Sequence, residues 1–373
     1  MRHVRILLLG DLILDEPDPG ALLGPSRDLL RAADLVVGQV EVPHSLRWSV
    51  HSTDVPARPS DPSNLGALAD VGLGVATLAG NHIADAGAEG IDDTIETLRG
   101  LGIATAGAGR DIAEARAPAL VAAAGRRVGV LSYNCVGPRD GWARPSKAGC
   151  AYVEVLTHYE LDHAGPGGPP RIFTFATPES LAALREDVAA LREQADVVIV
   201  ALHKGLGHVR ASLAQYEHDV ARAAVDAGAD IVVGHHAHIL RAVELYRGRP
   251  IFHGLGNFVT VTRALSPDNT ETPEAAAWAL RRVELFGFVP DPAMPTYPFH
   301  PESRNTMIAD CTVGQDGTVE AAFVPCWIDD EARPVPLGPD GGDVVVDYVS
   351  AITQEAGIET SYRWVGDRVV CTA

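Results

Sequence analysis

Short apolar runs punctuate the first two thirds of the chain, and segments of helical period separate them. Residues 4–9, 35–37, 75–78, 197–202 and 231–233 are rich in Val, Ile and Leu without polar alternation. Such runs predict strands buried on both faces. Residues 88–99, 178–194 and 215–227 predict helices. Thr177-Pro178-Glu179 supplies a helix start, with a capping hydroxyl followed by Pro in the first turn. The alternation predicts βαβ units and a sheet covered on both faces.

Two stretches break this rhythm. Residues 163–170 are turn-rich, and residues 266–303 carry many prolines with one short helical piece near 273–283. They mark expected insertions near 157–176 and 262–306. Loops of this length inside a domain are often functional lids, or else disordered. Past Met307, residues 321–326 and 344–349 alternate and predict further strands before a terminal helix. No internal repeat or linker divides the chain, so one domain over residues 1–373 is expected.

Composition narrows the functional classes. Hydrophobic residues make up 46% of the 373, enough for a substantial core. Asp plus Glu number 49 against 30 Lys plus Arg, a formal charge of −19. That surface disfavours nucleic acid and anionic membranes. The first apolar run ends at Gly10-Asp11, too short for a signal segment, and no run approaches the ~20 residues of a membrane helix. The expected compartment is therefore cytoplasmic. The cysteines (Cys135, Cys150, Cys311, Cys326, Cys371) are odd in number and form no C-x-x-C pair. They read as small buried hydrophobes.

Chemistry collects where the apolar runs end. Gly10-Asp11 follows the first run and Glu41 the second. Gly80-Asn81-His82 follows the third, His203 the fourth, and Gly234-His235-His236-Ala237-His238 the fifth. Acid, acid, amide, imidazole and imidazole pair is the ligand inventory of a two-metal hydrolytic site. Loops at the carboxyl ends of strands converge on one crevice in α/β proteins. His236 and His238, two apart in a turn, can face two metals or clasp one. His235 either packs or orients its neighbours. Asp85, three residues beyond His82, can hold that ring in one tautomer. His208 follows His203 as a supporting residue. Lys204, Arg47, Arg139, Arg210 and Arg241 are candidate holders of a phosphate or carboxylate. Gly107-Ala108-Gly109 lacks the third Gly of a dinucleotide fingerprint, and neither G-x-S-x-G nor a P-loop occurs.

Together, Leu9-Gly10-Asp11, Val40-Glu41-Val42-Pro43, Ala79-Gly80-Asn81-His82 with Asp85-Ala86-Gly87, the segment from Ala227 to His238, and Leu255-Gly256-Asn257-Phe258 resemble the poly-γ-glutamate capsule-synthesis family. That family is similar to the calcineurin-like metallophosphoesterases. The resemblance spans residues 4 to 260 clearly. It implies an α/β fold, specifically a four-layer αββα sandwich of the metallophosphoesterase type. It places Asp11 and Glu41 on a first divalent cation, with Glu41 bridging, and Asn81, His203 and His236 on a second. His238 returns to the first cation. His82 is the acid near the substrate, supported by Asp85. Tyr133, Asn134 and Asn257 would line the crevice. From the residues themselves, Lys204 and His235 are added to Asn134 and Asn257 as candidate substrate contacts.

Two departures qualify the likeness. Ile13 stands where ordinary metallophosphoesterases carry a ligand His, and Lys204-Gly205 stands where the family usually has Trp-Gly. The resulting expectation is a metal-dependent hydrolase of a small anionic substrate, a phosphoester or a γ-glutamyl-type amide. One or two cations are expected, Mn, Fe or Zn rather than Mg, because imidazole ligands predominate. The rival is a catalytically degenerate binding or assembly protein of a polyglutamate or related pathway. The oligomeric state is not legible.

Overall fold

The first predicted strand does not stop at Gly10. In a computed structural model, which describes residues 3–49, 51, 58–160, 170–266 and 272–373, it runs on as β1 (Val4–Leu14). Beside it lie β2 (Leu35–Val40), β3 (Leu73–Thr77) and β4 (Ala104–Ala106), all parallel. The chain then builds a second sheet from β5 (Ala119–Ala123), β6 (Arg126–Asn134), β7 (Val197–Lys204), β8 (Ile231–His236), β9 (Val243–Tyr246) and β10 (Arg249–Phe252). Its order is β9-β10-β8-β7-β6-β5.

The chain returns to the first sheet with β11 (Asn257–Val261), β12 (Asn305–Val313), β13 (Val319–Ile328), β14 (Ser361–Val365) and β15 (Arg368–Thr372). The order there is β14-β15-β13-β12-β1-β2-β3-β4. β12 pairs with the first half of β1 from Val4 to Leu8, and β11 takes over beside Asp11 to Leu14.

The unbroken apolar runs follow from this layering. Along β1, Ile6 and Leu8 face the second sheet, where they meet Val128, Ile199, Ile231 and Val233. Leu7 and Leu9 face outward onto Leu68 and onto Ile91, Ile95 and Leu98 of α1 (Gly87–Gly100). Across the second sheet, Val198, Val200 and Val232 meet α2 (Pro178–Arg192) and α3 (Gln215–Asp226) through Leu184, Val188, Leu191, Val220 and Ala224. The result is helix, sheet, sheet, helix, a four-layer αββα sandwich. Each fully buried Leu, Ile or Val contributes about 1.5–3 kcal/mol.

Three expectations need correction. Residues 344–349 are not a strand. They lie in α5 (Pro339–Glu355), where Val345, Val349 and Ile352 form a buried stripe at helical spacing and Val344 points to solvent. The β-branched run imitates a strand, but its buried positions recur every three to four residues. The terminal element is the β14–β15 hairpin rather than a helix. The expected insertion near 157–176 is carried by a hairpin, Val155–Glu160 with Arg171–Ala176. The turn-rich residues 163–169 lie outside the described residues. In the second insertion the helical piece is longer than predicted, α4 (Pro273–Phe286). All five cysteines are free and buried. No described helix is long and apolar enough to cross a membrane.

Candidate metal centre

The later half of β1 meets the ends of β2, β3, β7 and β8, and two glycines let the chain pack closely against residues 253–256 there. A Cβ on Gly10 would stand 2.1 Å from the Gly256 carbonyl oxygen, and one on Gly234 would stand 2.1 Å from that of His253. No side chain fits at either distance. Each glycine immediately precedes the residues that carry the chemistry.

Asp11 sits where β1 changes partners and its register shifts. Glu41 lies one residue beyond β2, its N–H donating to the Leu12 carbonyl at 3.1 Å. Asp11, Glu41 and His238 offer three ligand atoms within 4.8 Å of one another, and so do Glu41, His203 and His236. Glu41 belongs to both groups. His238 Nε2 is 3.3 Å from Glu41 Oε1 and its Nδ1 is 3.6 Å from Asp11 Oδ2. His203 Nε2 is 3.9 Å from Glu41 Oε1 and 2.8 Å from the Asn81 amide oxygen. The structure thus gathers Asp11, Glu41, Asn81, His203, His236 and His238 at one place.

Backbone strain holds the two last histidines. His236 has φ 85° and His238 has φ 53°, the left-handed region that side chains other than Gly rarely adopt. Each such residue costs about 1–3 kcal/mol and persists where surrounding structure over-determines it. The His236 N–H donates to Asp11 Oδ2 at 3.1 Å, and Asn257 Oδ1 lies 2.9 Å from His238 Nδ1. Asn257 in turn donates to the Tyr297 hydroxyl at 3.1 Å.

Electrostatics show what the cavity lacks. Glu41 is fully buried and neither of its oxygens has a hydrogen-bond partner; Asp11 Oδ1 is in the same condition. Leaving buried carboxylate oxygens unsatisfied costs several kcal/mol. Burial and the Glu41 charge push the Asp11 carboxyl well above its usual range. Burial would raise Glu41 too, but the His238, His203 and His82 imidazoles outweigh it and hold that carboxyl low. Burial, reinforced by His236, keeps His203 far below the ordinary imidazole range. Burial opposes charge on His238, yet Glu41 and Asp11 raise it. Two buried carboxylates with unpartnered oxygens, imidazoles and an amide oxygen form a donor set that fits divalent cations.

His82 stands beside this group. Its Nδ1 lies 2.8 Å from Asp85 Oδ2, and its Nε2 lies 2.9 Å from the Asn81 amide nitrogen. Asp85 thereby fixes the tautomer with Nδ1 protonated.

Four expected substrate contacts are corrected. Lys204 has no exposed surface. Its ammonium donates to Glu217 at 3.2 Å and contacts His253 Nδ1 at 3.1 Å, behind the sheet. Side chains alternate along β7, so the residue after His203 must point away from the centre. His235 is turned away for the same reason; it is buried, with Nε2 3.0 Å from the Leu9 carbonyl. Asn134 is buried, accepting from Val136 N–H and donating to Cys150 Sγ. Asn257 touches His238 and Tyr297 and so acts through the imidazole. Tyr133, expected to line the crevice, is buried and its hydroxyl binds Asp187. Arg47, Arg139, Arg210 and Arg241 each pair with a carboxylate, those of Asp93, Glu154, Glu355 and Glu217.

Sequence reasoning missed Phe299 and Arg282. Phe299 packs on His238 with ring centroids 5.0 Å apart, and His208 stacks on the same ring at 5.6 Å. Buried Arg282 donates to the Leu265 and Pro298 carbonyls and lies 3.3 Å from His208 Nε2. Helix α4 is thereby tied to the centre, and only the proline-rich character of its segment hinted at a role. A further trio, His218, Glu244 and His253, is close enough to hold a cation. Arg222 already binds Glu244 at 2.8 Å and Lys204 abuts His253, so this trio reads as a neutralised charge network. Ile13 is buried in the outer core and offers no ligand.

Comparison with known proteins adds the following. The family model described as Bacterial capsule synthesis protein PGA_cap matches residues 5–262. A probable polyglutamine synthesis accessory protein of Mycobacterium tuberculosis is 33% identical over 202 residues, covering 53% of this chain and 48% of the relative. The PGA biosynthesis protein CapA of Bacillus subtilis is 28% identical over 244 residues, covering 62% and 54%. The matches span about half the length of these relatives. A putative 5'-nucleotidase from Staphylococcus aureus superimposes with a TM-score of 0.44 at 10% identity, covering 94% of this chain and 58% of that one. That likeness is too weak to carry an argument.

Proposed function

The chain belongs to the bacterial capsule synthesis protein family, and from that premise we propose that it is a metal-dependent hydrolase of a small anionic substrate. The substrate is a phosphoester or a γ-glutamyl-type amide. One observation carries the reading: Glu41, buried and without hydrogen bonds to either oxygen, is common to two sets of three potential ligands. A carboxylate so placed can serve two cations at once.

Asp11, Glu41 and His238 would hold one divalent cation, and Glu41, Asn81, His203 and His236 the other. When bound, such cations polarise an ester or amide and make water acidic enough to react near neutral pH. The protein's own residues do the rest. Asn257 and the Asp11–His236 hydrogen bond orient the imidazoles. His208 and Phe299 cover the His238 ring and limit water on that side. His82, its Nδ1–H held by Asp85, would have to take up on Nε2, in place of the Asn81 amide N–H contact, the proton that a poor leaving group needs. General acid catalysis of this kind is worth about 10²–10⁴-fold.

The loss of a ligand at Ile13 and the names of the relatives favour one other reading, a binding or assembly protein that keeps a cation without turnover. The test is metal analysis together with hydrolysis of p-nitrophenyl phosphate and γ-glutamyl-p-nitroanilide. The hydrolase reading expects turnover on one of them, lost with a chelator and restored by Mn, Fe or Zn. Bound metal with no turnover on phosphoester and amide panels favours the rival.

A further inference from the structure

Beside the candidate centre opens a cleft of about 520 Å³. Asn81 and Asp85 form its inner wall, and His51, Asp140 and Lys147 its outer part. Lys147 and Lys204 are the two lysines of the chain, and Lys204 is fully buried. Lys147 is exposed, and its ammonium donates to the backbone carbonyls of Asp140 and Trp142, the latter at 3.3 Å. Among the described residues no carboxylate lies within ion-pair distance of it, in a chain carrying 49 acidic residues. Two carbonyls aim the amine without neutralising it, and an ammonium has three protons to give. The apolar floor of Ala84, Ile91 and Ala148 lowers the local dielectric and strengthens any charge contact made there.

We infer that Lys147 is a specificity-determining residue, pairing with an oxyanion, carboxylate or phosphate, on the part of the substrate that extends from the centre into this cleft. The inference rests on the hydrolase reading for calling that oxyanion part of a substrate; the pairing itself needs no cation. Of the cleft's two acids, Asp85 is engaged by His82. Among the described residues the Asp140 carboxylate makes no hydrogen bond or ion pair, and it opposes an incoming anion. The two residues therefore act with opposite sign.

The experiment follows acylation of Lys147 by N-hydroxysuccinimidyl acetate, read by peptide mass spectrometry on chelator-treated protein. Succinate and methylphosphonate are the oxyanion probes, and succinamide is the neutral control. Protection by an oxyanion but not by succinamide is expected, and the better probe names carboxylate or phosphonate as the preferred chemistry. Equilibrium dialysis with the better probe then compares variants. Lys147→Gln is expected to weaken binding about 10-fold or more, Lys147→Arg to retain most of it, and Asp140→Asn to tighten it severalfold. A purely structural clasp would not give opposite signs at Lys147 and Asp140. Equal acylation with every probe, or unchanged binding in Lys147→Gln, overturns the inference. Turnover on the phosphoester and amide panels, measured separately, reports failure of the hydrolase reading without touching this result.

Discussion

Glu41 and His238 face each other with Oε1 and Nε2 3.3 Å apart, and neither Glu41 oxygen has a hydrogen-bond partner. A buried carboxylate in that state is destabilising unless something positive completes it. The fold accepts this cost where the later half of β1 meets the ends of four other strands, together with positive φ at both His236 and His238. The metal assignments are built on that coincidence.

Replacing His82 with Ala is expected to lower turnover by about 10²–10⁴-fold while metal content and melting temperature stay near wild type. The loss should shrink for substrates with good leaving groups, which depart without a proton. Parallel kinetics on esters of differing leaving-group pKa check this. Release of metal would make His82 a ligand instead, and unchanged activity would make it a helix-start histidine.

Lys204 separates structure from binding. Removing one partner of a buried ion pair typically costs about 3–5 kcal/mol. Lys204→Ala should lower the unfolding free energy by up to that order, because it leaves buried Glu217 with Arg241 as its one remaining cationic partner and removes the contact to His253. KM, measured on the folded fraction, should move little. A large rise in KM with unaltered stability would return Lys204 to the substrate.

Much of this was legible in the chain. The buried runs announced the central strands because alternate residues of each run face two different apolar layers, as Leu7 and Leu9 do against Ile6 and Leu8. The ligand types stood at the ends of those runs, and the resemblance supplied their grouping. What the chain hid was side-chain direction. Lys204 and His235 adjoin His203 and His236 in sequence but point away from them, since neighbouring strand residues project to opposite faces. The α5 stripe misled for a related reason: Val345 and Val349 are β-branched, and their helical spacing shows only when Val344 is known to lie outside it. Phe299 and Arg282 reach the centre through long-range packing, which carries no local sequence signal.

Gly10 and Gly234 should tolerate no side chain. Gly10→Ala or Gly234→Ala forces a Cβ into a carbonyl oxygen 2.1 Å away, and overpacking of this sort costs typically about 1–3 kcal/mol, or more where backbone must shift. Denaturant unfolding and metal content should fall together, because the backbone carrying Asp11 and His236 is displaced. Wild-type stability in either variant would contradict the close approach.

Acid should destabilise the metal-free protein well above the range of carboxylate titration. Burial pushes His44 and His235 down to about 4 and His253 down to about 3, the last helped by Lys204. Unfolded histidine titrates near 6.5. Each of these groups therefore leaves stability intact above about pH 6.5, and removes it as pH falls toward the folded values, where the unfolded chain binds protons that the folded one refuses. The slope is up to roughly 1.4 kcal/mol per pH unit for each histidine. Unfolding free energies between pH 7.5 and 4.5 should decline progressively below pH 6.5, and His44→Phe should flatten the decline if it folds. A flat profile across that interval would exclude buried neutral histidines.

The most direct measurement of the central claim is metal content by mass spectrometry for the wild type, Glu41→Gln, His238→Ala and His203→Ala, each purified without added metal and then loaded to saturation. Since Glu41 is the residue common to both donor groups, Glu41→Gln should lose cation from both. His238→Ala should lose only what Asp11 and Glu41 hold with it, and His203→Ala only what Glu41 and His236 hold with it. Full metal content in Glu41→Gln would contradict the account.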